Sequence, residues 1–282
     1  MDPRFREFLQ ALDELPAGEA GDLPGLPEVA LRIVRRLAEP VTAVGQVARL
    51  IATEPALAVR VLHAANSLAY NQLATPTDDL RVAVSRVGFD AVRRLTLHHA
   101  LQQVRDAPHY LPVQDRLGAV WQRSLLMSAM ARVLSALLGG VPGEVASTAG
   151  LLQGVGRTWM LARAVEHPAV LRDAVALDAL LNERHAAIGR RLLGAWGIDG
   201  AWVDAIGIHE SADMLEGPQP RLVDLLFTAQ LFCAFRDAPE ELAERIADSP
   251  AATRLGLRHG ERAWVFGHSA AEIGMVRGAL CD

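Results

Sequence analysis

Apolar residues recur at intervals of three and four positions along most of the chain. The first such segment carries Phe5, Phe8, Leu9 and Leu12 on one helical face. The same spacing returns in later segments, whereas alternation of apolar and polar residues never continues beyond a few positions. Because this period matches the 3.6 residues of a helical turn, the pattern predicts an all-α protein.

Proline, glycine and small polar residues divide the pattern into separate helices. We expect Thr42, Asp79 and Asn182 to cap the helices that follow them, because short polar side chains accept hydrogen bonds from free backbone N–H groups. Arg93 and Arg94 interrupt an apolar stripe and are expected to face solvent. A linker is expected at residues 16–25. The predicted helices span residues 4–15, 27–39, 43–51, 55–66, 80–87, 89–102, 114–138, 142–152, 158–164, 168–181, 183–196, 199–209, 220–235 and 239–248.

The composition agrees with packed helices and excludes several kinds of chemistry. Hydrophobic residues make up 51% of the 282 residues and aromatic residues only 5%, so Ala, Leu and Val must supply most of the core. All 28 basic residues are arginine, which excludes a lysine nucleophile, a Schiff base and a P-loop lysine. The net charge is −5 and no basic stripe is present, which argues against a nucleic-acid partner.

Three features bear on the cellular compartment. Cys233 and Cys281 lie far apart, as is typical of proteins from a reducing compartment. The charged amino terminus lacks the apolar core of a signal peptide. No run approaches eighteen apolar residues, so we expect no membrane span. Together these features predict a cytoplasmic protein.

The stretch Gly-Leu-Leu-Gln-Gly-Val-Gly-Arg, residues 150–157, joins two apolar helical segments. Gly154 and Gly156 can adopt the positive φ angles that end many helices. We therefore expect Gly154 to close a helix in a left-handed conformation and the next helix to begin near Thr158.

Short motifs in both halves of the chain carry a resemblance to a known family. The motifs are Leu23-Pro24 with Leu26-Pro27, Glu54-Pro55-Ala56-Leu57, Ala65-Asn66-Ser67, Leu80 through Ala83-Val84-Ser85-Arg86-Val87-Gly88, Trp121 with Ser124, the stretch 150–157, His185 to Gly189, and Trp196-Gly197. Together they resemble the HDOD family, a non-catalytic relative of the HD-superfamily phosphohydrolases that is found in bacterial signalling proteins.

The resemblance implies two packed helical lobes, at about residues 23–103 and 114–235, with an HD-like helical core in the carboxyl half. On this basis we expect residues 1–22 to form an N-terminal helix and linker and residues 23–235 to form the HDOD domain. Residues 236–282 would then be a C-terminal helical extension.

Active HD enzymes hold a divalent metal with a His, a His-Asp pair and a later Asp. The matching positions in this chain are Arg123, the pair Gln153 and Gly154, and Gln230. The cationic side chain of Arg123 would repel a divalent ion, the amide of Gln153 is a weak ligand, and Gly154 has no side chain. The resemblance therefore implies a degenerate site with no metal, no cofactor and no catalysis.

Two histidines, His185 and His209, lie where related enzymes have their metal centre. Each shares a helical face with apolar residues, which favours histidines that face the core and are held by hydrogen bonds. The alternative is a small-ligand pocket inherited from the hydrolase, in which Arg123 and Arg157 contact an anion such as a nucleotide.

By resemblance, the expected function is that of a non-enzymatic regulatory or scaffold protein in bacterial signal transduction. It would act through partner proteins, in a cyclic-dinucleotide or histidine-kinase pathway. A metal-dependent phosphohydrolase with a remodelled site is a second hypothesis. A DNA-binding regulator is a third, since the helices near residues 46–62 could form a helix-turn-helix, but Arg60 and His63 stand there among mostly apolar residues.

Overall fold

The computed structural model describes residues 3–13, 27–71, 75–196, 201–208, 217, 221–235 and 237–257. These residues form helices joined by short turns, without a strand among them, and they confirm the all-α prediction. The helices are α1 (Pro3–Asp13), α2 (Glu28–Ala38), α3 (Val44–Ile51), α4 (Pro55–Asn66), α5 (Leu80–Val87), α6 (Phe89–Asp106), α7 (Gln114–Leu138), α8 (Gly143–Leu152), α9 (Val155–Ala164), α10 (Pro168–Leu171), α11 (Ala174–Ala195), α12 (Ala201–Ile208), α13 (Leu222–Ala234), α14 (Pro239–Ala247) and α15 (Pro250–Arg254). A 3₁₀ helix, Pro108–Val113, connects α6 to α7.

Helices α2 to α6 form the first lobe. Helix α4 packs against α5, and α2 packs against both α3 and α6. The apolar stripes that the sequence pattern predicted face inward, and Ile33, Ile51 and Leu97 are among the largest fully buried side chains. Asp79 caps α5 as predicted, because its carboxylate accepts a hydrogen bond from the backbone N–H of Arg81 at 2.7 Å.

Helices α7 to α13 form the second lobe, in which α7 packs along α8, α9 packs against α11, and α13 packs against α7. Helix α1 also belongs to this lobe, since it contacts α9 and α10. Its Phe8 and Leu12 are buried, and Arg191 donates a hydrogen bond to the carbonyl of Asp13 at 2.9 Å. The chain therefore begins on the second lobe before it forms the first.

Two predicted helix caps are wrong. Thr42 does not cap α3, because its hydroxyl donates to the carbonyl of Arg36 at 2.6 Å and closes the end of α2 instead. Asn182 lies in the interior of α11, and Asp173 caps that helix by accepting from Ala176 N at 3.0 Å. At α11 another polar residue was better placed to satisfy the free backbone groups, whereas at α3 the N-cap position falls on Ala43, which has no polar side chain.

The lobes meet where α6 packs against α7 and α8. Arg94 of α6 forms an ion pair with Glu144 of α8 and donates a hydrogen bond to the Tyr70 hydroxyl at 3.2 Å. Arg132 of α7 binds the other carboxylate oxygen of Glu144 at 2.8 Å. The prediction that Arg94 faces solvent is wrong, since the residue is only 8% exposed. Charged side chains thus connect the two lobes.

Among the described helices, not one is both long enough and apolar enough to cross a membrane.

We predict that Glu144→Gln lowers the free energy of unfolding by about 2 kcal/mol or more, because it leaves the largely buried charge of Arg94 without its carboxylate. The control is Glu39→Gln, which removes an exposed partner of Arg36 and should change stability by no more than about 0.5 kcal/mol. Urea unfolding measures both. If the two substitutions lower the free energy of unfolding equally, the ion pair between Arg94 and Glu144 contributes no more to stability than the exposed pair between Arg36 and Glu39.

Candidate functional site

The turn between α8 and α9 contains Gln153 and Gly154. Gly154 has φ −84° and ψ −3°, so it is right-handed, and the expectation of a left-handed helix end is wrong. Gly156 lies inside α9, which begins at Val155 rather than near Thr158. The carbonyl of Gly154 accepts a hydrogen bond from Thr158 N at 3.0 Å, so the glycine continues directly into the next helix.

The glycines of this stretch are explained by close packing rather than by backbone angle. A Cβ atom on Gly150 would lie 2.6 Å from the carbonyl oxygen of Met127, and one on Gly154 would lie 2.6 Å from Ser124 Oγ. A Cβ atom on Gly156 would overlap the carbonyl oxygen of His185 in α11. At Gly150 and Gly156 the close atoms belong to the backbone, so a side chain there would require movement of a helix, whereas at Gly154 the close atom ends a side chain that can rotate. The stretch therefore lets α8 and α9 approach α7 and α11 at backbone distance.

The four positions that match metal ligands lie on helices that pack together. Arg123 is on α7, Gln153 and Gly154 are between α8 and α9, and Gln230 is on α13; α7 contacts each of α8, α9 and α13. Gln153 and Gly154 are buried, whereas Arg123 and Gln230 are half-buried. The helices that carry these four positions therefore pack together, as a shared site at these positions would require.

The residues present do not fit a divalent metal. Ser124 Oγ lies where a side chain at position 154 would have to begin. The cavity beside Gly154 has a volume of only about 10 Å³, which is the space of about one water molecule. Its lining consists of Leu101, Arg105, Leu117, Trp121, Ser124, Gly154, Val155 and Thr158. Across the described ranges, no group of three or more His, Cys, Asp or Glu residues is arranged to hold a metal ion.

The predicted ligand pocket is only partly within the described residues, because His209 lies outside them. His185 is 1% exposed, and its Nδ1 lies 3.2 Å from the carbonyl oxygen of Asn182. Neither His185, Arg123 nor Arg157 lines the cavity beside Gly154. A small-ligand pocket formed by these four residues therefore stays a prediction.

The comparison with protein families covers most of the chain. Residues 23–212 match the model of the HDOD domain. The chain belongs to the HDOD family. No curated protein matches this HDOD chain in sequence.

Solved structures share the fold of this HDOD chain. A protein from Shewanella amazonensis, provisionally named a metal-dependent phosphohydrolase, is 23% identical, with 98% of this chain and 99% of that one covered and a TM-score of 0.70. An HDOD domain protein of unknown function from Geobacter sulfurreducens is 22% identical, with 99% and 96% covered and a TM-score of 0.64. A protein from Marinobacter aquaeolei, provisionally named a signal transduction protein, is 21% identical, with 100% and 67% covered and a TM-score of 0.58. At these identities the likeness shows the fold alone.

Sequence reasoning missed a cluster of buried polar residues between the lobes of this HDOD chain. His98 of α6 is 0% exposed, and its ring centroid lies 4.4 Å from that of Trp121 in α7. Neither ring nitrogen has a hydrogen-bond partner among the described residues. Burial, followed by the charge of Arg60, holds the pKa of His98 well below its ordinary value. In the sequence, the sign of this burial is the position of His98, three residues from each of the apolar residues Leu95 and Leu101 of the same helix.

His99 points to the other side of the same helix, toward α4. Its Nε2 lies 3.5 Å from Glu54 Oε1. Burial lowers the pKa of His99, and the contact with Glu54 opposes that effect. The two histidines therefore have different neighbours and do not form one chelating face, because adjacent residues of a helix point about 100° apart.

A buried ion pair on α13 was also missed. Asp224 is 0% exposed, and its Oδ1 accepts hydrogen bonds from Arg254 Nη2 at 2.6 Å and Nε at 3.0 Å. Its Oδ2 accepts from the backbone N–H of Arg221 at 3.0 Å. The carboxylate thus caps α13 and fastens α15 to it, which is a structural role.

We predict that Gly156→Ala lowers the free energy of unfolding by at least about 2 kcal/mol, because the new methyl group overlaps backbone atoms of α11. The matched control is Gly194→Ala on α11, where a Cβ atom has no neighbour within 4 Å. Alanine there should be neutral or stabilise by up to about 1 kcal/mol. Thermal unfolding compares the two. A Gly156→Ala protein as stable as the parent would show that α9 and α11 are further apart than described.

We further predict that stability falls as the pH drops below the ordinary histidine pKa of about 6.5. In that range unfolded His98 binds a proton while the folded residue, with its lowered pKa, does not, so acid favours the unfolded state. His98 alone contributes at most about 1.4 kcal/mol per pH unit. Urea unfolding at about pH 7.5 and about pH 5.5 measures the effect. His98→Phe should reduce it, and an undiminished pH dependence would exclude His98 as its source.

Proposed function

We propose that this HDOD chain is a non-catalytic regulatory protein of bacterial signal transduction, which acts in the cytoplasm through contacts with partner proteins. The observation that carries the proposal is the state of the HD metal position. Gln153 and Gly154 stand where a metal-binding His-Asp pair would be, and Ser124 Oγ occupies the space beside Gly154. Compared with a metal-binding site, this position therefore lacks both the ligands and the free space for them.

Metal-dependent hydrolysis needs an open coordination position and room for the substrate next to the activated water. A cavity of about 10 Å³ beside Gly154 supplies neither. Arg123 adds a positive charge on α7, where a divalent ion would be repelled. These features favour a retained fold with a different use over a hydrolase with exchanged ligands.

The names of structural neighbours support the proposal only as analogy. The name of the Marinobacter aquaeolei protein places that protein in signal transduction. The names of two proteins from Shewanella amazonensis, provisionally a metal-dependent phosphohydrolase and a phosphohydrolase, favour the remodelled-hydrolase alternative. Because fold likeness does not establish function, the proposal rests on the geometry of the site and not on these names.

The test is metal analysis combined with a hydrolysis assay. We expect the purified chain to contain no stoichiometric iron, manganese or zinc, and to show no hydrolysis of bis(p-nitrophenyl) phosphate when Mn²⁺ is added. One metal per chain that disappears in His185→Ala would overturn the proposal, since the backbone of His185 packs against Gly156, two positions after Gly154. The same chain, immobilised, should capture a specific protein from extracts of its own cells.

A second comparison separates docking from ligand sensing. Arg123→Gln and His185→Gln alter the predicted small-ligand pocket without adding charge. If the chain acts by docking alone, both variants should capture the same protein as the parent. Loss of capture in folded pocket variants, with folding checked by circular dichroism, would favour the small-ligand sensor instead.

A further inference from the structure

A groove between α3 and α5 of the first lobe has no role in the site described above. It has a volume of about 650 Å³ but is shallow and open to solvent, unlike the enclosed pockets that bury small ligands. Its lining consists of Val44, Asp79, Arg81, Val82, Ser85 and Arg86. An inorganic anion would fill only a small part of it.

Two arginine side chains converge on one point at α3. Arg81 Nε lies 3.8 Å, and Arg49 Nη1 lies 4.0 Å, from the position that a Cβ atom on Gly45 would take. Neither guanidinium group has an ion-pair or hydrogen-bond partner within the described part of the chain. Two positive charges that approach the same point repel each other. A carboxylate between the two guanidinium groups would bind both.

The groove as a whole is basic. Arg86 Nη1 donates to the carbonyl oxygens of Ala65 at 3.1 Å and Thr75 at 3.0 Å, so its charge meets no carboxylate. Asp79 is the only acidic residue in the lining, and its Oδ1 is engaged with the backbone of Arg81. Within the lining, Arg81 and Arg86 are set against Asp79, and Arg49 beside Gly45 adds a third positive charge next to the groove.

The groove also has an apolar side. Val82 is 43% exposed, and Val44 is half-buried opposite it in the lining. A compact phosphate ion would gain nothing from these two valines. A peptide that carries both acidic and apolar side chains can use the arginines and the valines together, as acidic motifs do on other arginine clusters.

We propose that this groove binds an acidic segment of a partner protein, with carboxylates at Arg49 and Arg81 and an apolar side chain against Val44 and Val82. This proposal rests on the function proposed above, because it assigns a surface to the docking. It is separate from the vestigial metal position, which lies in the second lobe.

The test uses a fluorescein-labelled peptide in which pairs of glutamates alternate with leucines. Fluorescence anisotropy at low salt should show saturable binding to the full chain, and binding should weaken as salt rises because exposed charges are screened. The same peptide with glutamine in place of glutamate should bind at least about tenfold more weakly.

Matched variants locate the binding. Arg81→Glu and Arg49→Glu should each weaken binding at least about tenfold, whereas Arg172→Glu, an equal charge change at an exposed position of the second lobe, should not. Gly45→Glu introduces a negatively charged side chain beside the two guanidinium groups, in the first turn of α3. Since an acidic residue is favourable there, it should block the peptide without lowering the melting temperature.

Unchanged binding in Arg81→Glu, or equal binding of the glutamine peptide, would overturn the proposal. Displacement of the peptide by inorganic phosphate or by a cyclic dinucleotide at lower concentration would also overturn it, and would assign the groove to a phosphate ligand. The proposed function is tested by other measurements: a stoichiometric metal or hydrolytic activity would contradict it, whatever the peptide does. If Arg81→Glu still captures the cellular partner, the chain docks through another surface.

Discussion

The close approach of α9 to α11 at Gly156 is the constraint on which the second lobe depends. No side chain fits between Gly156 and the backbone of His185, so the two helices pack at backbone distance. Helix α9 carries Gly154 at its start, and this packing holds that residue against Ser124 of α7. Helix α11 in turn buries His185 and contacts α12. One pair of adjacent backbones therefore sets the positions of α7, α9 and α11, the helices around the HD metal position.

The same packing limits the space for a side chain at position 154. An aspartate there would begin 2.6 Å from Ser124 Oγ, so α9 or Ser124 would have to move first. Movement of α9 is opposed by its backbone contact with α11 at Gly156, whereas the Ser124 side chain needs only to rotate. The side chains of α7 therefore determine how much room remains beside Gly154.

The sequence was informative about local structure and less so about contacts between distant segments. Helices α4, α5 and α7 span the predicted residues, because proline, glycine and apolar spacing act within a few positions. Gly88 has the positive φ of 82° that was wrongly expected of Gly154. A glycine in a sequence does not show whether backbone angle or lack of space requires it. Likewise, the burial of Arg94 depends on Glu144, fifty positions away, which no helical period reveals. The predicted metal and pocket residues could be placed on their helices, but their chemistry depends on space that only packing defines.

The proposed groove and the contact between the lobes lie on one continuous piece of chain. Helix α5 supplies most of the groove, and Gly88 alone separates it from α6. Helix α6 carries Arg94, which binds Glu144 of the second lobe, and His98, which packs on Trp121. Charged and hydrogen-bonded contacts depend more strictly on distance and direction than apolar contacts do, so the lobes are held in one relative arrangement. A segment that binds between α3 and α5 therefore meets a surface whose position is fixed by the second lobe, although the vestigial metal position takes no part in the binding.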